Sequence, residues 1–372
     1  MSGTKRPVKS LVELFEGVPD PRMERGRLHD LGEILLVAVC TELVGGEGAY
    51  DMADFGEARV EWLRSLGLQG TCPGHDTFTR VFQALDPVAF AEAFAMWTQG
   101  LGERLGREVV ALDGKAARRA VDAGQNPRHL VSAWAVESGL VLGQLQVEDK
   151  SNEITAVPAL LRQLELAGCI VTADALHCQR SIAREIIEAD ADHVLALKGN
   201  QGTAHDEVRA FLDDAILRKA RGLATHGTVE KGHGRIETRT CWQSDDIAWF
   251  ADRAGWTGLR SVGVVESTRE IGDKVSTERR YFLSSLPLDA ALFAKAVRGH
   301  WAIENQCHWV LDVVFQEDQS RARSGHASAN LGLLRRLAPD LLKKDASLNR
   351  GIHRKQLLAA IDPHYLAQLL GF

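Results

Sequence analysis

Long hydrophobic runs are missing from this sequence. A membrane-spanning helix needs roughly 18 or more apolar residues, and the richest stretch, Ile34 to Cys40, lies between Glu33 and Glu42. The N-terminus carries basic residues but leads into no apolar segment, so we expect no secretory signal. The sequence therefore predicts a cytoplasmic protein that has no membrane partner.

Paired cysteines are also missing. The 6 cysteines are spread over 372 residues and form no Cys-x-x-Cys pair, which excludes a disulfide framework and a zinc ribbon. Two adjacent pairs, His177-Cys178 and Cys307-His308, fit poorly with the usual spacing of zinc ligands. We therefore expect the cysteines to be buried thiols.

An excess of positive charge is absent as well. The 44 Lys and Arg residues against 50 Asp and Glu residues give a net charge of -6, which disfavours a protein that coats nucleic acid through bulk charge. Residues 298–355 differ, because they hold ten basic and six acidic residues. This end of the chain can therefore still bind a polyanion.

The first hundred residues have the pattern of helices. Leu31 to Leu43 is a compact apolar stretch, and Val88 to Trp97 places its apolar residues three to four apart. Asp76, which follows the breaker Thr71 to Gly74, is typical of a helix cap. The spacing leaves two alternatives open, a helix-turn-helix and a helical bundle that packs only for its own stability. Both make this region a helical N-terminal domain.

The hydrophobic period changes to that of strands at about residue 106. The predicted strands are Glu108–Leu112, His129–Val136, Leu140–Val147, Cys169–Ala173 and His193–Leu197, and the predicted helices among them are Glu153–Leu166 and Gln179–Glu188. This β-β-β-α-β-α-β order is that of an α/β ribonuclease-H-like (retroviral-integrase-like) fold. A doubly wound nucleotide fold would need helices between the first three strands, and none fit there.

Two aspartates follow apolar strands of this predicted sheet. Asp113 closes the first strand and Asp174 closes the fourth, and in a ribonuclease-H-like sheet these two strands are neighbours. Their carboxylates would lie side by side, where a hard divalent cation relieves their repulsion. Taken singly, each aspartate could merely end a strand or cap the next helix. The matched pair favours a metal site.

A third acid, Glu304, lies in an apolar and aromatic stretch that predicts a helix over Trp301 to Phe315. On an α-helix Glu304, His308 and Asp312 share a face. Asp312 lies about 12 Å farther along the axis than Glu304, which is too far for both acids to hold cations roughly 4 Å apart. Position along the helix therefore allows only one of the two acids, Glu304 or Asp312, to belong to the metal site.

Several stretches together match a known family. They are Pro73–Phe82 with Leu85-Asp86-Pro87, Leu112-Asp113-Gly114-Lys115, Asn152-Glu153-Ile154, Thr172–Gln179, Leu197–Gln201, His233–Arg239, His300–Asp312 and Phe315–Asp318. In these residues the sequence resembles the DDE transposases of bacterial insertion sequences, in the branch that includes the H-repeat-associated proteins. The resemblance covers about residues 10 to 345.

The resemblance implies a ribonuclease-H-like core that is interrupted by a β-rich insertion. We predict the domains as residues 1–105 (helical and DNA-binding), 106–215 (first part of the core), 216–286 (insertion), 287–345 (the returning core helix) and 346–372 (C-terminal tail). The resemblance also implies that Asp113, Asp174 and Glu304 are the catalytic acids and hold two Mg²⁺ or Mn²⁺ ions. The implied partners are DNA, as terminal inverted repeats and as target, and a second copy of the chain in the synaptic complex.

The sequence departs from the wider group around the glutamate. Many such transposases have Tyr, Arg and Lys at fixed offsets, where this chain has Val297, His300 and Leu311. Other residues must then contact DNA. The candidates are Lys115, Lys198, His233, Arg235, Arg239, Arg298, His300 and His308.

The sequence favours one function and leaves two alternatives open. The first is an active transposase that cuts the ends of its element and joins them to target DNA. The second is a catalytically silent remnant that only binds DNA, which the presence of all three acids disfavours. The third is a metal-dependent nuclease that serves the host.

Overall fold

The computed structural model describes residues 11–25, 27–101, 108–116, 129–147, 153–232 and 234–372. Over these residues the protein is a mixed α/β structure with a large β-sheet. The chain divides into two compact units. The first unit comprises residues 1–104, 114–153 and 304–372, and the second comprises residues 105–113 and 154–303.

The regular elements have the following bounds. The helices are α1 Leu11–Glu16, α2 Leu31–Leu43, α3 Ala49–Ala58, α4 Val60–Ser65, α5 His75–Ala84, α6 Pro87–Leu101, α7 Glu153–Arg162, α8 Arg180–Glu188, α9 Gly202–Leu217, α10 Ala290–His300, α11 Trp309–Val313, α12 Ala327–Lys344, α13 Ile352–Ile361 and α14 Pro363–Leu370. The strands are β1 Val109–Ala116, β2 His129–Ala135, β3 Leu140–Val147, β4 Ile170–Ala173, β5 Asp192–Leu197, β6 Ala224–Gly232, β7 Arg235–Ser244, β8 Ser261–Ile271 and β9 Lys274–Ser284. No helix of the described residues is long and apolar enough to cross a membrane.

Helix α12 is the centre of the first unit. It is buried from Ala327 to Leu342 and packs against α2, α5, α6, α13 and strand β3. Strand β3 pairs with β2 as an antiparallel hairpin, whose register joins His129 to Val147. Helix α2 begins where the Asp30 carboxylate accepts hydrogen bonds from the first backbone N–H groups of the helix.

The second unit is built on a run of paired strands in the order β1-β4-β5-β9-β8-β7-β6. Strands β1, β4 and β5 are parallel, whereas β9, β8, β7 and β6 continue the sheet as an antiparallel meander. Every residue of β4 is buried, as is usual for a parallel strand that is covered on both faces. Helix α10 packs against β4, β5, β6 and β7, and α8 packs against β5.

Most predicted elements are present, and some have the predicted bounds. Helix α2 spans Leu31–Leu43, and β3 spans Leu140–Val147, as expected. The six cysteines are free thiols, and all except Cys72 are buried. Asp76 lies in the first turn of α5, whose cap is Gly74, so the expectation that Asp76 caps this helix is wrong.

The predicted helix from Trp301 to Phe315 is broken in the structure. Helix α10 ends at His300, a π-helical turn spans Glu304–His308, and α11 follows. The wider π turn changes which side chains face inward. Ile303, Cys307, Leu311 and Phe315 are buried, four residues apart, and this spacing replaces the mixed three-and-four spacing of a regular α-helix.

The two compact units have other boundaries than the predicted domains, which stay a prediction. The N-terminal helices do not form a unit of residues 1–105 alone, because α12 and the β2–β3 hairpin pack with them. The strands of the predicted β-rich insertion, residues 216–286, continue the sheet of the second unit through the pairing of β9 with β5. Sequence patterns report the period of each element but not its packing partner, so they could not reveal either feature.

Two side chains of α12 join it to the β2–β3 hairpin. The backbone N–H of Val141 donates a hydrogen bond to Asp340, and the Lys343 ammonium donates one to the Gly139 carbonyl 2.6 Å away. Lys343 also lies over the Trp134 ring, 5.2 Å from its centre. Burial raises the pKa of Asp340 to about 8, although Lys343 and the hydrogen bond from Val141 oppose this.

Asp340→Asn tests this raised pKa. In the folded protein the Asp340 carboxyl keeps its proton up to about pH 8, while an aspartate in the unfolded chain releases its proton near pH 3.9. The contribution of Asp340 to the free energy of unfolding therefore falls as the pH rises. Relative to the Asn variant, the unfolding free energy of the wild type should fall by about 1 kcal/mol per pH unit between roughly pH 5 and 8. Urea denaturation across this range measures the difference. Parallel curves for the two proteins would contradict the raised pKa.

Candidate active site

Asp113 and Asp174 occupy corresponding positions in the second unit. Strand β1 pairs with β4 in parallel, and the register joins Leu112 to Ala173, so each aspartate is the next residue along its strand. Both side chains are half-buried. The adjacency of these two strands, which the strand order predicted, is therefore present. The end of β1 differs from the prediction. Strand β1 continues to Ala116 and does not end at Asp113.

The surroundings of Asp174 favour its ionised form. The His177 backbone N–H donates to Asp174 Oδ1 over 3.2 Å, and the Nδ1 atom of the buried His177 ring lies 2.8 Å from the same oxygen. Burial alone would raise the pKa of Asp174. The hydrogen bonds and charge of His177, together with the charge of His300, outweigh burial and lower this pKa.

Two side-chain amides hold the loop that follows Asp174. Asn200 Nδ2 donates to the Ala175 carbonyl over 2.6 Å, and Gln201 Nε2 donates to the Cys178 carbonyl over 2.7 Å. Both amides come from the stretch after β5, beside the exposed Lys198. Sequence reasoning noticed this stretch only as part of the family resemblance and assigned no role to Asn200 or Gln201.

His300 ends α10 beside the strand that carries Asp174. Its Nδ1 atom lies 3.2 Å from the hydroxyl of Thr172, a buried residue of β4. This contact fixes the C-terminal end of α10 next to β4. His300, one of the three histidines predicted to contact DNA, thus has a partner within the protein. The chain reaches Glu304 four residues later.

Glu304 is the first residue of the π turn, in the first unit. Its side chain is 58% exposed, and its Oε2 atom lies 3.6 Å from Nδ1 of His308. His308 itself is buried. Turns of π-helix are uncommon and occur frequently at functional sites. Here the turn leaves Glu304 exposed at its start and His308 buried at its end.

The glycine after Asp113 is explained by a close approach. A Cβ atom on Gly114 would lie 2.5 Å from Oε2 of Glu153, which is a clash. Glu153 is buried at the start of α7, and its Oε1 atom lies 2.9 Å from Nδ1 of His129. Sequence reasoning gave Glu153 no role beyond its place in the family resemblance.

Lys115 takes part in a buried network of charges in the first unit. Its ammonium contacts Asp312 and lies 2.9 Å from Oε2 of Glu317, which also pairs with the fully buried Arg336. Burial would raise the pKa of Glu317, but the charges of Arg336 and Lys115 lower it to about 2. Only 12% of the Lys115 side chain is exposed, so the structure places this candidate phosphate contact in an internal ion pair.

The three candidate arginines, two in the β-rich region and one in α10, are paired with acids. Arg235 lies 3.0 Å from Glu237, and both Arg239 and Arg298 lie 3.0 Å from the same oxygen of Glu230. These pairs are at least partly exposed, so DNA phosphates could compete with the acids only by replacing these contacts. Their role in DNA binding stays a prediction.

One further candidate, His233, lies outside the described residues. It belongs to the His233–Arg239 stretch, of which Gly234 to Arg239 are described. Its predicted contact with DNA therefore has no structural description.

Two family models match the chain. The model described as "Transposase DDE domain" matches residues 104–338, and the model described as "DDE_Tnp_1-associated" matches residues 12–98. The chain belongs to the DDE transposase family. Its resemblance to the H-repeat-associated branch is confirmed, because similar curated proteins carry that name.

Two relatives align over nearly the whole chain. "Putative transposase YncI" of Escherichia coli O157:H7 is 37% identical over 98% of this chain and 95% of its own length. "H repeat-associated putative transposase YhhI" of Escherichia coli K12 is 36% identical over 98% of both chains. Among solved structures, a piggyBac transposase synaptic complex with hairpin DNA aligns at a TM-score of 0.46 and 10% identity, over 97% of this chain and 80% of that one.

Lys115→Met tests the buried charge network. The change leaves Glu317 and Asp312 without this cation, and breaking a buried pair in this way costs about 3–5 kcal/mol of folding free energy. The matched control is Arg218→Met, which removes a pair with Asp214 in which both side chains are at least half exposed and should cost about 1 kcal/mol or less. Urea denaturation compares the two variants. Equal stability losses would mean that the network contributes no more than a surface pair.

Proposed function

We propose that the protein is a DNA transposase that cuts the ends of an insertion sequence and joins them to target DNA. The observation that carries this proposal is the parallel pairing of β1 with β4, which puts Asp113 and Asp174 at the same edge of the sheet. Membership of the DDE transposase family supports the reaction class. We assign Glu304 as the third acid from the family resemblance.

The strand order supports a ribonuclease-H-like core. Parallel β1, β4 and β5 are adjacent, and α8 connects β4 to β5 as a helical crossover. The meander β6–β9 lies in sequence between β5 and α10, where the resemblance implies an insertion. We propose that these elements form the catalytic core, extended by the meander.

The three acids supply the ligands that we assign to a pair of divalent cations. Carboxylate oxygens are hard ligands of the kind that Mg²⁺ and Mn²⁺ prefer, and Asp174 is held in its ionised form by His177. We assign one cation to Asp113 and Asp174 and the other to Asp113 and Glu304. Bound cations would activate a water or a DNA 3′-hydroxyl and stabilise the leaving 3′ oxygen.

The protein groups around the acids have supporting roles in this proposal. His177 orients the Asp174 carboxylate and keeps it charged, and the amides of Asn200 and Gln201 fix the loop that begins at Asp174. His300 holds the end of α10 against β4, and the chain reaches Glu304 from there. In this proposal these contacts keep Asp174 in place before the cations bind.

DNA is the proposed partner, as terminal repeats and as target, and the proposed active form is a homodimer. Because bacterial DNA lies in the cytoplasm, we place the activity there. The decisive experiment supplies the purified protein with Mg²⁺ and the DNA that flanks its own gene. Cleavage at defined ends followed by joining supports the proposal, binding without cleavage indicates a silent remnant, and cutting without end preference indicates a nuclease.

Asp113→Asn, Asp174→Asn and Glu304→Gln should each abolish cleavage while DNA binding survives. A neutral amide cannot hold a divalent cation as a carboxylate does. Gel assays of cleavage and binding on the same DNA measure both properties. The control is Asp206→Asn, which changes an exposed acid of the second unit. This variant should cleave DNA normally. Normal cleavage by Glu304→Gln would remove this residue from the site.

Asn200→Ala removes one of the two amides that hold the loop after Asp174, and we expect it to raise the Mg²⁺ concentration needed for half-maximal cleavage by about tenfold, the lower end of the range for losing a group that orients a metal ligand. The control is Gln179→Ala, which removes a side-chain hydrogen bond to the Leu176 carbonyl in the same loop. A titration of cleavage rate with Mg²⁺ compares the variants with the wild type. An unchanged midpoint for Asn200→Ala would show that this amide does not position Asp174.

A further inference from the structure

A cavity of about 780 Å³ lies in the first unit. Its walls are the start of α3, helix α5, the segment 319–324 and helix α12. This volume is in the range of small-molecule sites, which runs from about 300 to 1,000 Å³. The cavity is lined by residues from two stretches that carry the family resemblance, Pro73–Phe82 and Phe315–Asp318.

The walls of the cavity are firmly connected. Asn330 Nδ2 donates hydrogen bonds of 2.9 Å to the carbonyls of Phe82 and Leu85, at the end of α5. Gly325, with φ of +56°, passes so close to α5 that a Cβ atom would lie 2.5 Å from the Gln83 carbonyl oxygen. The cavity therefore exists before any ligand binds, which lowers the ordering cost of binding.

An exposed aromatic ring forms part of the wall. Tyr50 is 69% exposed, and its ring stacks on His75 with ring centres 4.3 Å apart and planes inclined by 18°. The stacked histidine supports one face of the tyrosine. A rigid, exposed aromatic face of this kind is the usual platform for a nucleic-acid base.

Charged groups line the same cavity. The exposed guanidinium of Arg321 makes no hydrogen bond or ion pair with any residue that the structure describes, and Arg323 lines the cavity beside it. Arginine binds phosphate well because its planar donors match the phosphate oxygens. Glu47 and Asp51 supply carboxylates, which accept hydrogen bonds from the amino groups of cytosine and other bases.

We propose that this cavity binds one unpaired nucleotide of a DNA strand. The base stacks on Tyr50 and directs an amino group to Glu47 or Asp51, and the phosphate binds Arg321. Cytosine, adenine and guanine carry such an amino group and thymine does not, so the cavity prefers the first three bases. This inference rests on the proposed function, because it takes DNA as the substrate.

The test measures binding of a fluorescein-labelled single-stranded oligonucleotide to the full chain by fluorescence anisotropy, with EDTA present. Tyr50→Ala and Arg321→Ala should each weaken binding by about tenfold, whereas Tyr50→Phe keeps the stacking face and should stay within about twofold. The control for charge is Arg64→Ala, an exposed arginine of the same unit that pairs with Glu61. Thermal unfolding checks that each variant is folded.

Three arms separate the possible ligands. The duplex form of the oligonucleotide should lose less than about twofold in affinity on Tyr50→Ala, because its bases are already stacked. An oligonucleotide of thymine alone should bind more weakly than one of cytosine. Free dCMP should compete poorly, because it lacks the neighbouring phosphates of a strand.

Specific outcomes would overturn the inference. Unchanged single-strand binding by Tyr50→Ala, or equal losses for single strand and duplex, would exclude an unpaired base at Tyr50. Competition by dCMP as strong as that of the oligonucleotide would assign the cavity to a free nucleotide. Because binding is measured without divalent metal, either failure leaves cleavage by Asp113, Asp174 and Glu304 untouched, so it is distinct from failure of the proposed function.

Discussion

The ion pair between Glu317 and Arg336 is the contact on which much of the first unit depends. Arg336 is completely buried in α12, and Glu317 lies in the segment that follows α11. Lys115, at the end of β1, joins the same carboxylate. Three distant parts of the sequence are thus tied together at one buried point, and removing any member would leave a charge without compensation in a region of low dielectric constant.

This network also accounts for an unfavourable backbone. Gln316 adopts φ of 52° and ψ of 33°, a left-handed conformation that costs a residue with a Cβ atom about 1–2 kcal/mol. The bend delivers Glu317 to Arg336 and Lys115. The energy of the buried contacts offsets the cost of the bend, so the chain can turn here without a glycine.

The sequence was informative where a local pattern decides the structure. Apolar periods predicted α2 and β3, and the order of elements predicted that the strands of Asp113 and Asp174 are neighbours. It was uninformative where the outcome depends on distant partners. The pairing of Lys115 with acids some 200 positions away has no local signature, and this pairing is why a candidate phosphate contact is buried.

The π turn at Glu304 had no local signature either. The stretch has the composition of a regular helix, and a helical wheel places Glu304, His308 and Asp312 on one face. The turn alters that phase, so His308 is buried while Glu304 is exposed. Helical periodicity therefore did not predict that His308 is buried.

The amides of Asn200 and Gln201 bind main-chain carbonyls, not side chains. Any amino acid at positions 175 and 178 presents the same carbonyl oxygen, so the clamp does not depend on which residues the loop contains. A substitution at either of these two positions therefore leaves the acceptor atom of the clamp in the chain. An insertion or deletion in the loop would break these hydrogen bonds, because it would move both carbonyls out of reach of their donors.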